Sequence, residues 1–283
     1  MTTNTTPQPL TPIANKHVLL VTGESSVGKS MSLHGLKNPK GVLYLNCEIG
    51  KPLPFTSEFM EIHIQDPDQV KEIFSDLLIN KDGKSDRYHT VVIDSLSLLM
   101  NLWSMLKIQR APAGSDTRAL WGQYKIFFEG LMYDYVSKCK QNVIFLCHLE
   151  RVTHEDPNIP DRLAAAVQGA LGKKEGVEAY FQTIIGVKQL PLDQVLIKNV
   201  DPSKSRTLRD FKNPMLKITE REEMTGLKSV FQTMAIYNAS ALERIRSPKD
   251  VFTLDETFTD NNIQYIIDKL NTPKPSNKGT KND

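Results

Sequence analysis

The sequence predicts an α/β fold, a mostly parallel β-sheet flanked by helices with an antiparallel extension in its C-terminal third. Three observations carry this. Continuous apolar runs of strand length recur at 17–22, 42–47, 90–94 and 142–147, and runs without polar alternation belong to strands covered on both faces. Helix-period segments separate the runs, as crossovers between parallel strands require. Past residue 179 the alternation stops, and short strand-like segments follow one another without helices.

Taken in order, residues 17–22 form the first strand. A Gly-rich loop follows and opens a helix over 27–36, which must end before Pro39 because proline disfavours helical geometry in its predecessor. Strands are expected at 42–47 and 60–64. Asp66-Pro67 reads as an N-cap with proline at the first helical position; the helix runs to 79, with Val70, Ile73, Phe74, Leu77 and Leu78 on one face. After a polar loop comes the 90–94 strand, then a helical segment over 95–109 and a loop over 111–115. Leu120, Tyr124, Phe127, Leu131 and Tyr135 recur at helical spacing and predict a long helix over 117–140. The 142–147 strand follows. Strand-like segments at 183–189, 194–200 and 215–219 make the antiparallel extension. A last helix over 261–270 is capped by Thr259 or Asp260.

These elements divide into a core over 17–240 and a C-terminal extension over 241–271. The tails, 1–16 and 272–283, are polar and Pro-rich and are expected to be disordered.

At 283 residues, 40% hydrophobic and 24% charged, the composition is that of an ordinary globular protein. A net charge of +2 does not point to a dedicated duplex-DNA binder, so any nucleic-acid contact must come from local patches. Three cysteines, Cys47, Cys139 and Cys147, are too few and scattered for a disulfide framework or zinc site; Cys47 and Cys147 read as buried small hydrophobes. There is no secretion-signal pattern, and the apolar runs fall well short of the roughly 18 residues of a membrane span. An intracellular protein with no membrane partner is expected.

The chemistry sits in Gly23-Glu24-Ser25-Ser26-Val27-Gly28-Lys29-Ser30, a G-x-x-x-x-G-K-[ST] phosphate-binding loop, with Met31 completing the nucleotide-contacting segment. Glycines let successive N–H groups turn inward around phosphate oxygens, and the following helix points its positive end at them. Lys29 is placed to reach the β- and γ-phosphates, and Ser30 to bind Mg²⁺. A nucleotide, taken as ATP, and Mg²⁺ are the expected cofactors. Asp94 ends the 90–94 strand and is the second metal residue, as a Walker B aspartate. Hydrolysis also needs a group that orients or deprotonates water. Glu48, just past the 42–47 strand, is the first candidate; Glu24 and Glu150 are its rivals. His148, following the 142–147 strand, is a candidate for contacting the γ-phosphate.

The order of these pieces, GESSVGKS, VLYLNCE, VVIDS and VIFLCH, resembles the RecA-like ATPase core over about residues 17–220. The compact size is similar to the short RecA-like nucleotide-binding and single-strand-annealing proteins of bacteriophages. The resemblance implies an ATPase acting in DNA recombination or annealing as a ring or filament of identical subunits, in the cytoplasm of a host cell. It implies single-stranded DNA, and a single-stranded-DNA-binding protein, as partners. Two loops then face DNA. The first, 104–122, carries Lys107, Arg110 and Arg118, flanked by Trp103 and Trp121; cations interleaved with aromatics suit a strand whose bases stack. The second, 151–180, carries Arg151, Arg162, Lys173 and Lys174 on a long non-strand segment. Lys204 and Arg206 stand where such ATPases place a cation acting on the neighbouring subunit's site, within a tract of six Lys or Arg against two Asp over 198–217. His148 departs from the family, where RecA has an amide. A protein-remodelling or regulatory ATPase with no nucleic-acid partner is the alternative; a small-molecule kinase is a third, with only Arg151 and Arg162 to form its lid.

Overall fold

Val18–Gly23 forms β1, and five of its six residues are buried, because sheet neighbours and helices cover it on every side. The computed structural model describes residues 16–80, 83–156, 158–169, 171, 176–192, 194, 216–236 and 241–272. β1 lies between β5 (Asn142–Val152) and β7 (Thr183–Pro191) and runs parallel to both. Beyond β5 follow β4 (Thr90–Asp94), β2 (Val42–Asn46) and β3 (Met60–His63), all parallel. On the other flank β8 (Leu227–Gln232) is antiparallel to β7, and β10 (Phe258–Asp260) to β8. The sheet order is β10-β8-β7-β1-β5-β4-β2-β3, a mostly parallel sheet with antiparallel strands from the C-terminal third.

That extension is built differently from the expectation. Thr183–Pro191 is itself parallel to β1, and β8 and β10 supply the antiparallel pairing. The strand expected at 194–200 lies, but for Gln194, outside the described residues. Residues 216–219 are not a strand, since Lys217 N donates instead to the Asp260 carboxylate at 3.0 and 3.1 Å. β5 does not stop at Cys147. Its residues Leu149–Val152 pair antiparallel with β6 (Asp161–Ala165), which pairs with β9 (Ala241–Glu243). The start of the second DNA-loop candidate is thus a hairpin.

The helices cover both faces. α1 (Asp68–Ile79) starts one residue late, with Asp66 Oδ1 accepting from Asp68 N at 2.9 Å. α2 (Leu96–Ser104), capped by Ser95, widens into a π turn over Met105–Gln109. α3 (Thr117–Gly130), capped by Asp116, ends in a π turn, Leu131–Tyr135, and a 3-10 turn, Val136–Lys138. A short α4 (Glu220–Thr225) precedes β8. α5 (Ile263–Asn271) is capped by Asn262, because Thr259 and Asp260 belong to β10. The helix expected over 27–36 is a six-residue 3-10 helix, Ser30–Gly35. The Ser32 hydroxyl donates to Lys29 O at 2.6 Å, occupying the carbonyl that a longer α-helix would use.

Alternate residues of β1 enter two cores. Leu20 joins Val70, Phe74, Leu99 and Phe128 on the face of α1 to α3. Leu19 and Val21 join Leu33, Leu36, Ile263 and Ile266 on the other. Each such side chain contributes about 1.5–3 kcal/mol by leaving water. Within residues 241–271, β10 joins the sheet and α5 its second hydrophobic layer. All three cysteines are buried and free, and burial pushes the Cys147 thiol up to about 12. Among the described residues, no helix is long and apolar enough to cross a membrane.

Candidate active site

Parallel strands deliver their carboxyl ends to one edge. β1 ends at Gly23, β4 at Asp94, and β2 at Asn46, two residues before Glu48. Because β5 lies between β1 and β4, with His148 opposite Gly23 and Leu146 opposite Asp94, His148 stands between the phosphate loop and the aspartate. The loop turns through left-handed Ser26 (φ 65) and Gly28 (φ 107). Gly23 has no room for a side chain, since a Cβ would lie 2.9 Å from Val187 O and from Val27 Cγ2.

Lys29 is 6% exposed and lies across the loop. Its ammonium donates to Gly23 O at 3.0 Å, Glu24 O at 2.6 Å and His148 Nδ1 at 3.2 Å. Burial pulls it below the usual lysine range, opposed mainly by Asp94. An ammonium has only protons to give, so Nδ1 accepts. The ring proton then sits on Nε2, which faces Glu48 Oε1 at 3.4 Å. Glu48 Oε2 meets Lys51 Nζ at 3.3 Å. The hydrogen bond from His148 holds the Glu48 carboxyl below its ordinary range, against burial and with help from Lys51. The expected trio of Lys29, His148 and Glu48 is thus one connected chain of contacts.

Asp94 is 1% exposed. Its Oδ2 accepts from Ser30 Oγ at 2.7 Å and from Tyr44 OH at 2.9 Å. Its Oδ1 is buried and has no hydrogen-bond partner among the described residues. Burial is the largest influence on this carboxyl and raises its pKa. A buried carboxylate oxygen without a donor calls for a proton or a cation. One carboxylate beside one hydroxyl fits Mg²⁺, which keeps several waters and takes further oxygens from phosphates. No cluster of three or more His, Cys, Asp or Glu among the described residues offers a metal cage.

Two residues at the site carry no signal in the local sequence. Tyr44 sits inside an apolar run and reads as core. Asn261 Nδ2 donates to Gly28 O at 2.8 Å from 233 positions down the chain, and no local pattern marks it.

The DNA candidates scatter. Lys107 pairs with Asp68 at 3.1 Å and Arg151 with Asp161 at 3.5 Å. Arg110 and Arg118 are exposed, near the two ends of the 111–115 loop. Trp103 is 5% exposed and packs edge-on against Tyr124 at 5.6 Å. Trp121, half-buried, packs on the same ring at 5.3 Å. Trp103 falls on the buried face of α2 and belongs to the core, while Trp121 is partly buried and packs against that core, so Trp103 is not free to stack on bases. Lys173, Lys174, Lys204 and Arg206 lie outside the described residues.

No curated protein matches the chain significantly. Solved structures that match include the pCW3 conjugation coupling protein TcpA, monomer form with ATPgS, at 17% identity and a TM-score of 0.32. The alignment covers 61% of this chain and 49% of that one, so this chain spans about half the length of its structural match. A family model also matches: the AAA domain AAA_24 aligns with residues 15–189, from before the phosphate loop to within β7. Since that is more than half of the 283 residues, the chain belongs to the AAA domain family AAA_24 and contains an AAA-type P-loop ATPase domain.

Proposed function

We propose that this site binds ATP with Mg²⁺ and hydrolyses it to drive the binding and release of single-stranded DNA in recombination or annealing, within a homo-oligomer whose ATP sites lie at subunit interfaces. The observation that carries the chemistry is the unpartnered, buried Asp94 Oδ1 beside Ser30. Ser30 and Asp94 would hold the cation, which neutralises developing phosphate charge when bound. Lys29 exchanges its loop carbonyls for phosphate oxygens, and the backbone of residues 23–31 cradles them. Glu48, kept ionised by His148 and Lys51, takes a proton from the attacking water. His148 holds Glu48 and Lys29 in register.

The DNA part rests on connectivity. β5 runs from His148 straight into the β5–β6 hairpin that carries Arg151 and Arg162, so a shift at His148 moves that hairpin. Arg110 and Arg118 add exposed cations. Met31 and Ile49, exposed apolar residues next to Ser30 and Glu48, suit cover by a neighbouring copy. A remodelling ATPase without nucleic acid is favoured instead by the ion pairs of Lys107 and Arg151 and by the burial of Trp103.

Steady-state hydrolysis with Mg²⁺, with and without single-stranded DNA, tests both parts in wild type, Lys29→Ala and Glu48→Gln. DNA-stimulated turnover that falls about 100-fold or more in both variants is expected. Turnover indifferent to DNA at low salt would give the lead to the remodelling reading, and wild-type turnover unaffected by Lys29→Ala would refute the site.

A further inference from the structure

β7 and β8 pass the phosphate loop as an antiparallel pair, with Gln189 opposite Ser229 and Val187 opposite Phe231. Val187 and Phe231 pack into the core layer of Leu33 and Ile263. Strand alternation therefore puts Gln189 and Ser229 on the face that bears the loop. Ser229 abuts it: a Cβ on Gly28 would lie 3.2 Å from Ser229 Oγ. Beside Ser229 opens a pocket of about 260 Å³ lined by Gln189, Arg221, Glu222, Thr225, Leu227 and Ser229.

Its polar groups differ in how they are engaged. Glu222 is held by Lys228 at 3.1 Å and by the Thr219 backbone at 2.9 Å. Among the described residues, the side chains of Gln189, Arg221 and Ser229 have no hydrogen bond or ion pair. A carboxamide, a guanidinium and a hydroxyl thus converge unpaired beside the apolar Leu227. The volume is smaller than sites for drug-sized ligands and suits one flat ring.

We propose that this pocket holds the adenine base of ATP. A primary carboxamide such as Gln189 matches the donor–acceptor edge of adenine, its 6-amino group and N7. Arg221 stacks on the ring and Leu227 covers its rim. The pocket's place against Gly28 leaves the phosphates to the loop. The proposal rests on the reading of that loop as an ATP site.

Equilibrium binding of ATP, ITP and inorganic tripolyphosphate, each with Mg²⁺, tests it in wild type, Gln189→Ala, Arg221→Ala and Lys29→Ala. ITP replaces the 6-amino donor with a carbonyl, and tripolyphosphate has no base. Wild type is expected to prefer ATP over ITP by about tenfold, and Gln189→Ala to lose that preference. Arg221→Ala should weaken both nucleotides several-fold, with tripolyphosphate binding unchanged in both pocket variants. Wild type that binds ATP, and loses it in Lys29→Ala, while both pocket variants keep wild-type affinity and selectivity, overturns the pocket alone. Wild type that binds no ATP overturns the pocket and the loop reading together.

Discussion

His148 Nδ1 accepts a hydrogen bond from Lys29 Nζ at 3.2 Å, which fixes the ring proton on the nitrogen facing Glu48. That donor is the main reason the Glu48 carboxyl lies below its usual range. A carboxyl with a depressed pKa stays ionised until pH falls through that lowered value, so whatever depends on its charge persists further into acid. In His148→Ala the carboxyl returns toward its ordinary range, and the acid limb of the pH–rate profile should move to higher pH. Profiles of kcat/KM for the two proteins check this; coincident acid limbs would separate His148 from Glu48.

Asp94 has the opposite sign. Burial raises its pKa in the fold, so the folded state binds more protons than the unfolded chain between the two values. Stability therefore falls as pH rises through that window, and the cost is complete above the folded pKa. Asp94→Asn should stabilise the metal-free protein at neutral pH by about 1 kcal/mol while abolishing stabilisation by Mg²⁺ with nucleotide. Denaturant midpoints in chelator and in Mg²⁺–ATP measure both, and a less stable Asp94→Asn protein in chelator would contradict the argument.

Asn261 fixes the Gly28 carbonyl. Removing one such hydrogen bond costs about 1 kcal/mol. In Asn261→Ala this should appear as a KM for ATP raised about fivefold, with kcat within about twofold of wild type, because the loop is less ordered before phosphate arrives. A drop confined to kcat would argue against loop positioning.

Ile49, directly after Glu48, is 96% exposed and has φ 54. A β-branched residue in the left-handed region is strained by about 1–2 kcal/mol. Ile49→Gly should raise stability by about 0.5–1 kcal/mol after the entropic cost of glycine in the unfolded chain. Urea titration of the isolated protein reads the sign directly.

What could be read from the sequence was local. The loop, Asp94 and Glu48 follow strands whose apolar runs are contiguous, so their common edge could be inferred before any contact was known. Tyr44 and Asn261 gain their roles through tertiary register, which periodicity does not encode. Trp103 looked available because it flanks a basic segment, yet its place on the inner face of α2 commits it to the core. β8 is hidden in the sequence for a related reason. It contains Lys228, a residue that normally marks solvent, but here the ammonium is 5% exposed and held by Glu222 and Asp260.

The pairing of β7 with β8 also bears on how the chain can be divided. A fragment ending at residue 189 would keep the phosphate loop, Glu48, Asp94 and His148. It would lose the whole of β8, leaving the outer edge of β7 as an open row of amides and carbonyls, and Phe231 and Ile263 would no longer cap the apolar layer beneath the loop. Bare strand edges template association with other chains. Such a fragment should aggregate despite holding every residue assigned to phosphate chemistry, so the last third of the chain governs solubility as much as reactivity.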